Sequence, residues 1–455
     1  MVPEREGASK AEIHVNSQQD FNLHGGVEFS SRNTETRYLP KQEREEFALE
    51  VNTVLSGVDK YLLQSSDNKV FIIDMYNIPP VETAPISPQD GVKQMRELAV
   101  KIDEKKDRLP AEWEVKRDEL IAASTYLEER EKPFSQRMPY AECLRTISGF
   151  YPQEIPIPVL EADRKRLASL LRNAGYPNAN GDVEGLRQAY QEYHSRKLIY
   201  NVDSLKNGLT SGYYSFRAKL ASALRRPNIY GTSFDIRIVE AEAPFMAWER
   251  ILPEGKFLDI NYFESKRSQW GWEEVERYAR HEGAHFVMGD IQANEIRAGR
   301  LDSIAGYLLI PGPACWAMEG VAQTIDDLTG IQSGEDGRIS IAAYRMFIRA
   351  RNNVLYQLEY GFKTMQEGIQ YMERYAPQKS SEEIERELVQ GTQDPMWRPY
   401  LPVYGHSDWK IINLAERLSA EGRKEVLNQL MTRTWTYEQF NKDYGQLAAK
   451  TQTFV

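Results

Sequence analysis

The stretch Trp272–Asp290, WEEVERYARHEGAHFVMGD, decides how the rest of the chain is read. At its centre, His281-Glu282-Gly283-Ala284-His285 places two histidines four residues apart in a segment predicted to be helical. Residues four apart share one helix face, so both imidazoles are expected to point the same way. That spacing lets two nitrogens hold one Zn²⁺ per chain while Glu282 acts on a water at the metal.

Two histidines leave such an ion short of a ligand, because a catalytic zinc takes three protein ligands and keeps one position open. No third histidine follows at the H-x-x-G-x-x-H spacing; the residues after His285 are FVMGDI. A carboxylate remains, and Glu319 in CWAMEGVAQT, 34 positions beyond His285, is the candidate. Its predicted helix has an apolar face of Cys315, Trp316, Met318 and Ala322, which would carry Glu319 inward. Metal coordination would then remove the cost of burying an unpaired carboxylate. The competing reading is an ordinary surface position on a helix.

Upstream, residues 228–264 are rich in β-branched and aromatic side chains. Phe234, Ile236 and Ile238 alternate with Asp235, Arg237 and Val239, and Pro253-Glu254-Gly255 reads as a turn. Two or three strands are expected here. An edge strand beside the metal suits an extended peptide, and Glu240 and Glu242 suit a substrate amine or a charge-defended edge.

Elsewhere helical signals dominate. A helix is predicted from Pro40 to Ser66, with Phe47, Val51, Val54, Leu55 and Val58 on one face. The run KVFIIDMYNIPP fits either a short buried strand or more helix. Ser87-Pro88 is a helix start, and helices are expected at 111–131, 139–148, 159–174, 182–202 and 210–225. YPQEIPIPV, with three prolines, marks a hinge between them. After the motif the helix should end near Gly289, and a helix from Pro313 to Leu328 should close at Gly330. Further helices are expected at 337–352, 353–375, 381–390, 408–420, 422–432 and 436–449. The fold class is therefore mainly α, a two-lobed helical architecture with a small sheet beside the motif helix. Residues 1–40 form a polar, loosely ordered segment, 41–227 an N-terminal helical lobe and 228–455 the catalytic lobe.

Composition narrows the partners. The 455 residues are 41% hydrophobic and 27% charged, as in ordinary globular proteins. Lys and Arg number 57 against 67 Asp and Glu, a net charge of −10, and no basic block offers a nucleic-acid surface. The two cysteines, Cys143 and Cys315, form no C-x-x-C pair, so neither a thiolate zinc site nor a disulfide framework is implied. The N-terminus has no apolar core of a signal peptide, and no run of eighteen apolar residues exists to span a membrane. A cytoplasmic location is expected.

HEGAH followed by a helix carrying W-x-x-E-G-x-A resembles the gluzincin metallopeptidases, and the helical frame with strands just ahead of the motif is similar to their oligopeptidase and carboxypeptidase branches. The resemblance implies His281, His285 and Glu319 as zinc ligands and Glu282 as general base. It also implies an oxyanion donor, a Tyr or His on a segment C-terminal to the third ligand. The segment 398–407, RPYLPVYGHS, is the candidate, read as a Pro/Gly-interrupted turn holding Arg398, Tyr400, Tyr404 and His406. Tyr404 and His406 are the catalytic candidates there, and Tyr400 and Arg398 the substrate-binding ones. A structural loop, with Arg398 paired to one of the many glutamates, is the alternative. The function expected is hydrolysis of short peptides; the same metal and base also suit a non-peptidase hydrolase or lyase acting on a small metabolite.

Overall fold

A computed structural model describes residues 38–64, 72–226, 234–239, 247–252, 254–261 and 270–449. Glu240 and Glu242 lie outside these residues, as does most of the polar segment 1–40. The fold is mainly α, 69% helical, with fifteen helices and one small mixed sheet among the described residues.

The sheet has five strands: β1 (Ile73–Tyr76), β2 (Phe234–Val239), β3 (Ala247–Leu252), β4 (Gly255–Asn261) and β5 (Tyr307–Leu309). Their order is β2-β4-β3-β1-β5. The three strands expected between 228 and 264 are present, and β3 and β4 pair as antiparallel neighbours. Within the ambiguous run at 69–80, Ile73–Tyr76 is a strand, every residue of it buried. It runs parallel to β3 with Met75 opposite Ile251, and antiparallel to β5. Thus β1, from the segment read as N-terminal lobe, lies inside the sheet next to the motif helix. β5 was not legible, because three apolar residues give no period.

Several helix boundaries differ from expectation, each for a local reason. The helix read from 210 begins at Val202, where the Asn201 side chain caps it by accepting from the Asp203 and Ser204 amides at 2.7 and 3.3 Å. The proline-rich hinge shortens to 151–156, since Pro158 falls in the first turn of Ile157–Asn173 and costs no helical hydrogen bond.

The motif helix runs Trp272–Arg297, two turns past Gly289. Gly289 does not end it; a Cβ there would lie 2.6 Å from Ile251 Cδ1, so the glycine permits close packing on β3. Similarly, 398–407 is no turn. It belongs to the helix Trp397–Ala415. Pro399 falls in its first turn, where the amide has no helical acceptor anyway. A Cβ on Gly405 would lie 2.5 Å from the Ile348 carbonyl oxygen, so this glycine lets the helix cross Glu335–Glu359 closely. Cys315–Thr329 ends as expected at Gly330, which adopts φ 71°. No helix among the described residues is long and apolar enough to cross a membrane.

Candidate metal centre

The motif helix is held between Val202–Ala223, strand β3, and the helices Cys315–Thr329 and Glu335–Glu359. Packed on every side, it buries the motif itself: His281, Glu282 and His285 are all buried, as is Glu319 on the facing helix. The imidazoles turn towards each other, with the two Nε2 atoms 3.2 Å apart. Glu319 Oε2 lies 3.3 Å from His281 Nε2 and 3.8 Å from His285 Nε2.

Three ligands at tetrahedral Zn–N and Zn–O distances sit roughly 3.3 Å from one another, so this triangle has the size a zinc ion requires. Glu319 Oε2 is buried and accepts no hydrogen bond, and the three atoms converge with no protein donor between them. A cation is the group that answers a carboxylate oxygen and two imidazole lone pairs together. The donor set fits Zn²⁺.

Electrostatics favour the metal-binding forms of His285 and Glu319, whereas the carboxylates around His281 favour its protonated form. Burial holds His285 neutral, down to about 3, helped by the His281 charge and opposed by Glu319. For His281 burial also lowers the pKa, but the close approach of Glu319 and the charges of Glu282 and Glu319 outweigh it, leaving a net rise. Burial pushes Glu319 up, yet His281, His285 and Tyr400 bring it below the usual carboxylate range. Glu282 has no hydrogen-bond partner among the described residues. Burial raises it to about 7, His281 opposing and Glu319 reinforcing the shift.

The residues of 398–407 separate once the helix is seen. Tyr400 lines the cavity and donates its hydroxyl to Glu319 Oε1 at 2.5 Å, which orients that carboxylate. Tyr404, one turn on, lines the same cavity, its ring 6.4 Å from that of His281 and 5.4 Å from that of Tyr400. His406 points away. Its Nδ1 accepts from Trp316 Nε1 at 2.8 Å, its ring stacks on Phe150 at 4.4 Å, and it does not line the cavity. Arg398 grips Glu359 with two nitrogens at 2.6 and 2.9 Å and the Met138 carbonyl at 3.0 Å, a structural ion pair outside the cavity. Asp290, Asp326 and Asp327, near the motif in sequence, pair with Lys256, Arg280 and Arg345 and support neither histidine. Both Nδ1 atoms lack a partner among the described residues, so packing and Glu319 set the ring orientations.

The cavity in front of the triad has a volume of about 340 Å³. Its wall includes charged groups that sequence reading missed, among them Asp74 on β1, Glu249 on β3 and Arg277 on the motif helix. Arg277 precedes His281 by four residues, so the helical period that placed the histidines also placed it.

No family model matches the chain, and no curated protein matches it. Among solved structures, a chain from Colwellia psychrerythraea described as a "putative lipoprotein" is similar at 13% identity and a TM-score of 0.49, covering 80% of this chain and 70% of that one.

Proposed function

We propose that the protein is a zinc-dependent hydrolase of the gluzincin kind, cleaving short peptides with one Zn²⁺ held by His281, His285 and Glu319. The observation that carries this reading is the convergence of three buried donor atoms at 3.2, 3.3 and 3.8 Å, with the Glu282 carboxyl beside them in one cavity. When bound, the metal supplies Lewis acidity towards a water and a substrate carbonyl. Glu282, adjacent in sequence to the first ligand and free of internal partners, accepts the water's proton at its carboxylate and passes it to the leaving nitrogen. Burial raises its pKa, which makes it a stronger base than an exposed glutamate. Tyr404 is the phenol positioned to donate to the developing oxyanion, while Tyr400 holds Glu319 in place. A cavity of about 340 Å³ suits a few residues of peptide. Cys143 and Cys315 are both free and buried, in keeping with a reducing compartment, and we place the protein in the cytoplasm.

The test is metal analysis of the purified protein together with digestion of a short-peptide library. One zinc per chain and cleavage are expected, with Glu282→Gln abolishing cleavage while retaining the metal. Absence of zinc binding overturns the reading. Stoichiometric zinc with every peptide intact transfers the site to non-peptidase chemistry on a small metabolite.

A further inference from the structure

Two ionisable side chains in the cavity wall are buried without a direct ion-pair partner among the described residues. Glu249, on β3, is 3% exposed, and neither of its carboxylate oxygens has a hydrogen-bond partner. Its surroundings are acidic: Asp74 and Glu282 both act on it, and the nearby Lys256 is committed to Asp290. Asp74 is itself buried and accepts only the Trp248 indole N–H, at 2.8 Å. Arg277, on the other side, is 8% exposed. Its guanidinium lies 4.0 Å from the Tyr278 ring centre and 4.1 Å from that of Tyr344, with Nε on Ser340 Oγ at 3.3 Å. No carboxylate among the described residues forms a direct ion pair with it; Glu274, three residues earlier, acts on it at longer range.

An isolated buried charge is costly, and a cavity-facing one is relieved by a ligand of opposite sign. The two charges lie on opposite flanks of the triad. Arg277 is one turn before His281, whereas β3 packs further along the motif helix, where Ile251 meets Gly289.

We propose that Glu249, with Asp74 behind it, binds the free ammonium of the substrate and that Arg277 binds its free carboxylate, so that the site takes di- and tripeptides with both termini unblocked. This rests on the hydrolase reading for its consequence, the class of peptide cleaved, but the anchors themselves act in binding. The tyrosines that sandwich Arg277 fix its plane, which favours a two-pronged contact with a carboxylate. A cation at Glu249 would favour ionisation of the neighbouring Asp74, which adds to the attraction without needing to touch it.

The experiment is calorimetric titration of trialanine, N-acetyl-trialanine and trialanine amide into the zinc-loaded Glu282→Gln protein, which removes turnover from the readout. Unblocked trialanine should bind about 10–100-fold more tightly than either blocked form, the range expected for losing one charge-assisted contact. Glu249→Gln should abolish discrimination against the acetyl group alone, and Arg277→Gln discrimination against the amide alone. Arg277→Lys should restore part of the latter and shows whether the Gln variant fails by charge or by misfolding; far-ultraviolet circular dichroism checks each fold. Equal binding of the three peptides, no binding, or loss of both preferences in either variant overturns the anchors. Charge-dependent binding by a protein that cleaves nothing would leave the anchors standing while the hydrolase reading falls.

Discussion

The same two helices carry two buried charged clusters of opposite character. On Cys315–Thr329 and Trp397–Ala415, Asp327 and Asp408 belong to a closed network. Arg345 binds Asp408 at 3.0 Å and Asp327 at 2.7 Å; Arg349 binds Asp408 at 2.7 Å and Asp163 at 2.8 Å. Two turns away on those helices, Glu319 and Tyr400 belong to the cavity cluster, where Glu319 Oε2, both Glu249 oxygens and both histidine Nδ1 atoms lack partners. In the first cluster the chain answers every charge and thereby joins four helices. In the second it holds like charges together and leaves atoms open. Polar burial alone therefore does not mark a site; polar burial without internal satisfaction does. The closed network also helps to hold the open one in place, because the helices it joins are those that present Glu319 and Tyr400.

The largest effect should come from opening the closed network. Asp408→Ala takes one of two carboxylate partners from each of two buried guanidinium groups and, with two charged hydrogen bonds lost, should destabilise the protein by about 3–5 kcal/mol in urea denaturation. A loss below 1 kcal/mol would remove the distinction between the clusters. Next is closure of the open one. Zinc at a hundred times its dissociation constant should stabilise the metal-free protein by about 2.7 kcal/mol. His281→Ala should eliminate that increment in thermal melts, and Asp408→Ala should lower the melting point while preserving it. An increment that survives His281→Ala would place the metal elsewhere.

What was legible in the sequence follows the range of the interactions. His281, Glu282 and His285 share one helix, whose period fixes their relation before any tertiary contact, and Glu319 rides on a helix marked by its apolar face. The helix at 397–415 was hidden because proline and glycine were read as breaks, whereas Pro399 lies in a first turn and Gly405 serves a close crossing. His406 and Tyr404 then parted, since two residues along a helix face nearly opposite ways. Asp74 and Glu249 were missed because an acidic residue in a strand pattern reads as facing solvent. Their burial depends on strand register and on the motif helix covering the sheet, neither of which is local.

The clusters should also respond differently to pH. In the closed network burial raises Asp327, but Arg345, Arg166 and Arg349 outweigh it and leave the carboxyl below its ordinary value. Its contribution is present above the unfolded pKa and is lost as pH falls through the lower folded one. Asp74 is the reverse: burial lifts it to about 7, opposed by Trp248 and Arg250 and reinforced by Glu319. The folded state then holds a proton that the unfolded state releases near pH 4, so stability falls as pH rises towards 7. Between pH 5 and 7 the metal-free protein should lose about 2 kcal/mol from this group, and Asp74→Asn should flatten that decline. A decline of the same slope in the Asn variant would exclude Asp74 as its source.

The smallest effect has the most telling sign. Removing one charge from a closed pair is destabilising, but Glu249 has no pair to break. Its oxygens accept nothing, and burial first, then Asp74 and Glu282, push its carboxyl well above the ordinary range. Glu249→Gln keeps the shape, removes the repulsion and adds two donors beside acidic groups, so the metal-free protein at pH 8 should be unchanged or more stable by up to about 1 kcal/mol. The same substitution should weaken binding of an unblocked peptide. A gain or parity in stability together with a loss in binding is the signature of a side chain kept for a ligand. A destabilised Glu249→Gln protein would show that Glu249 is satisfied within the fold and belongs with Asp408.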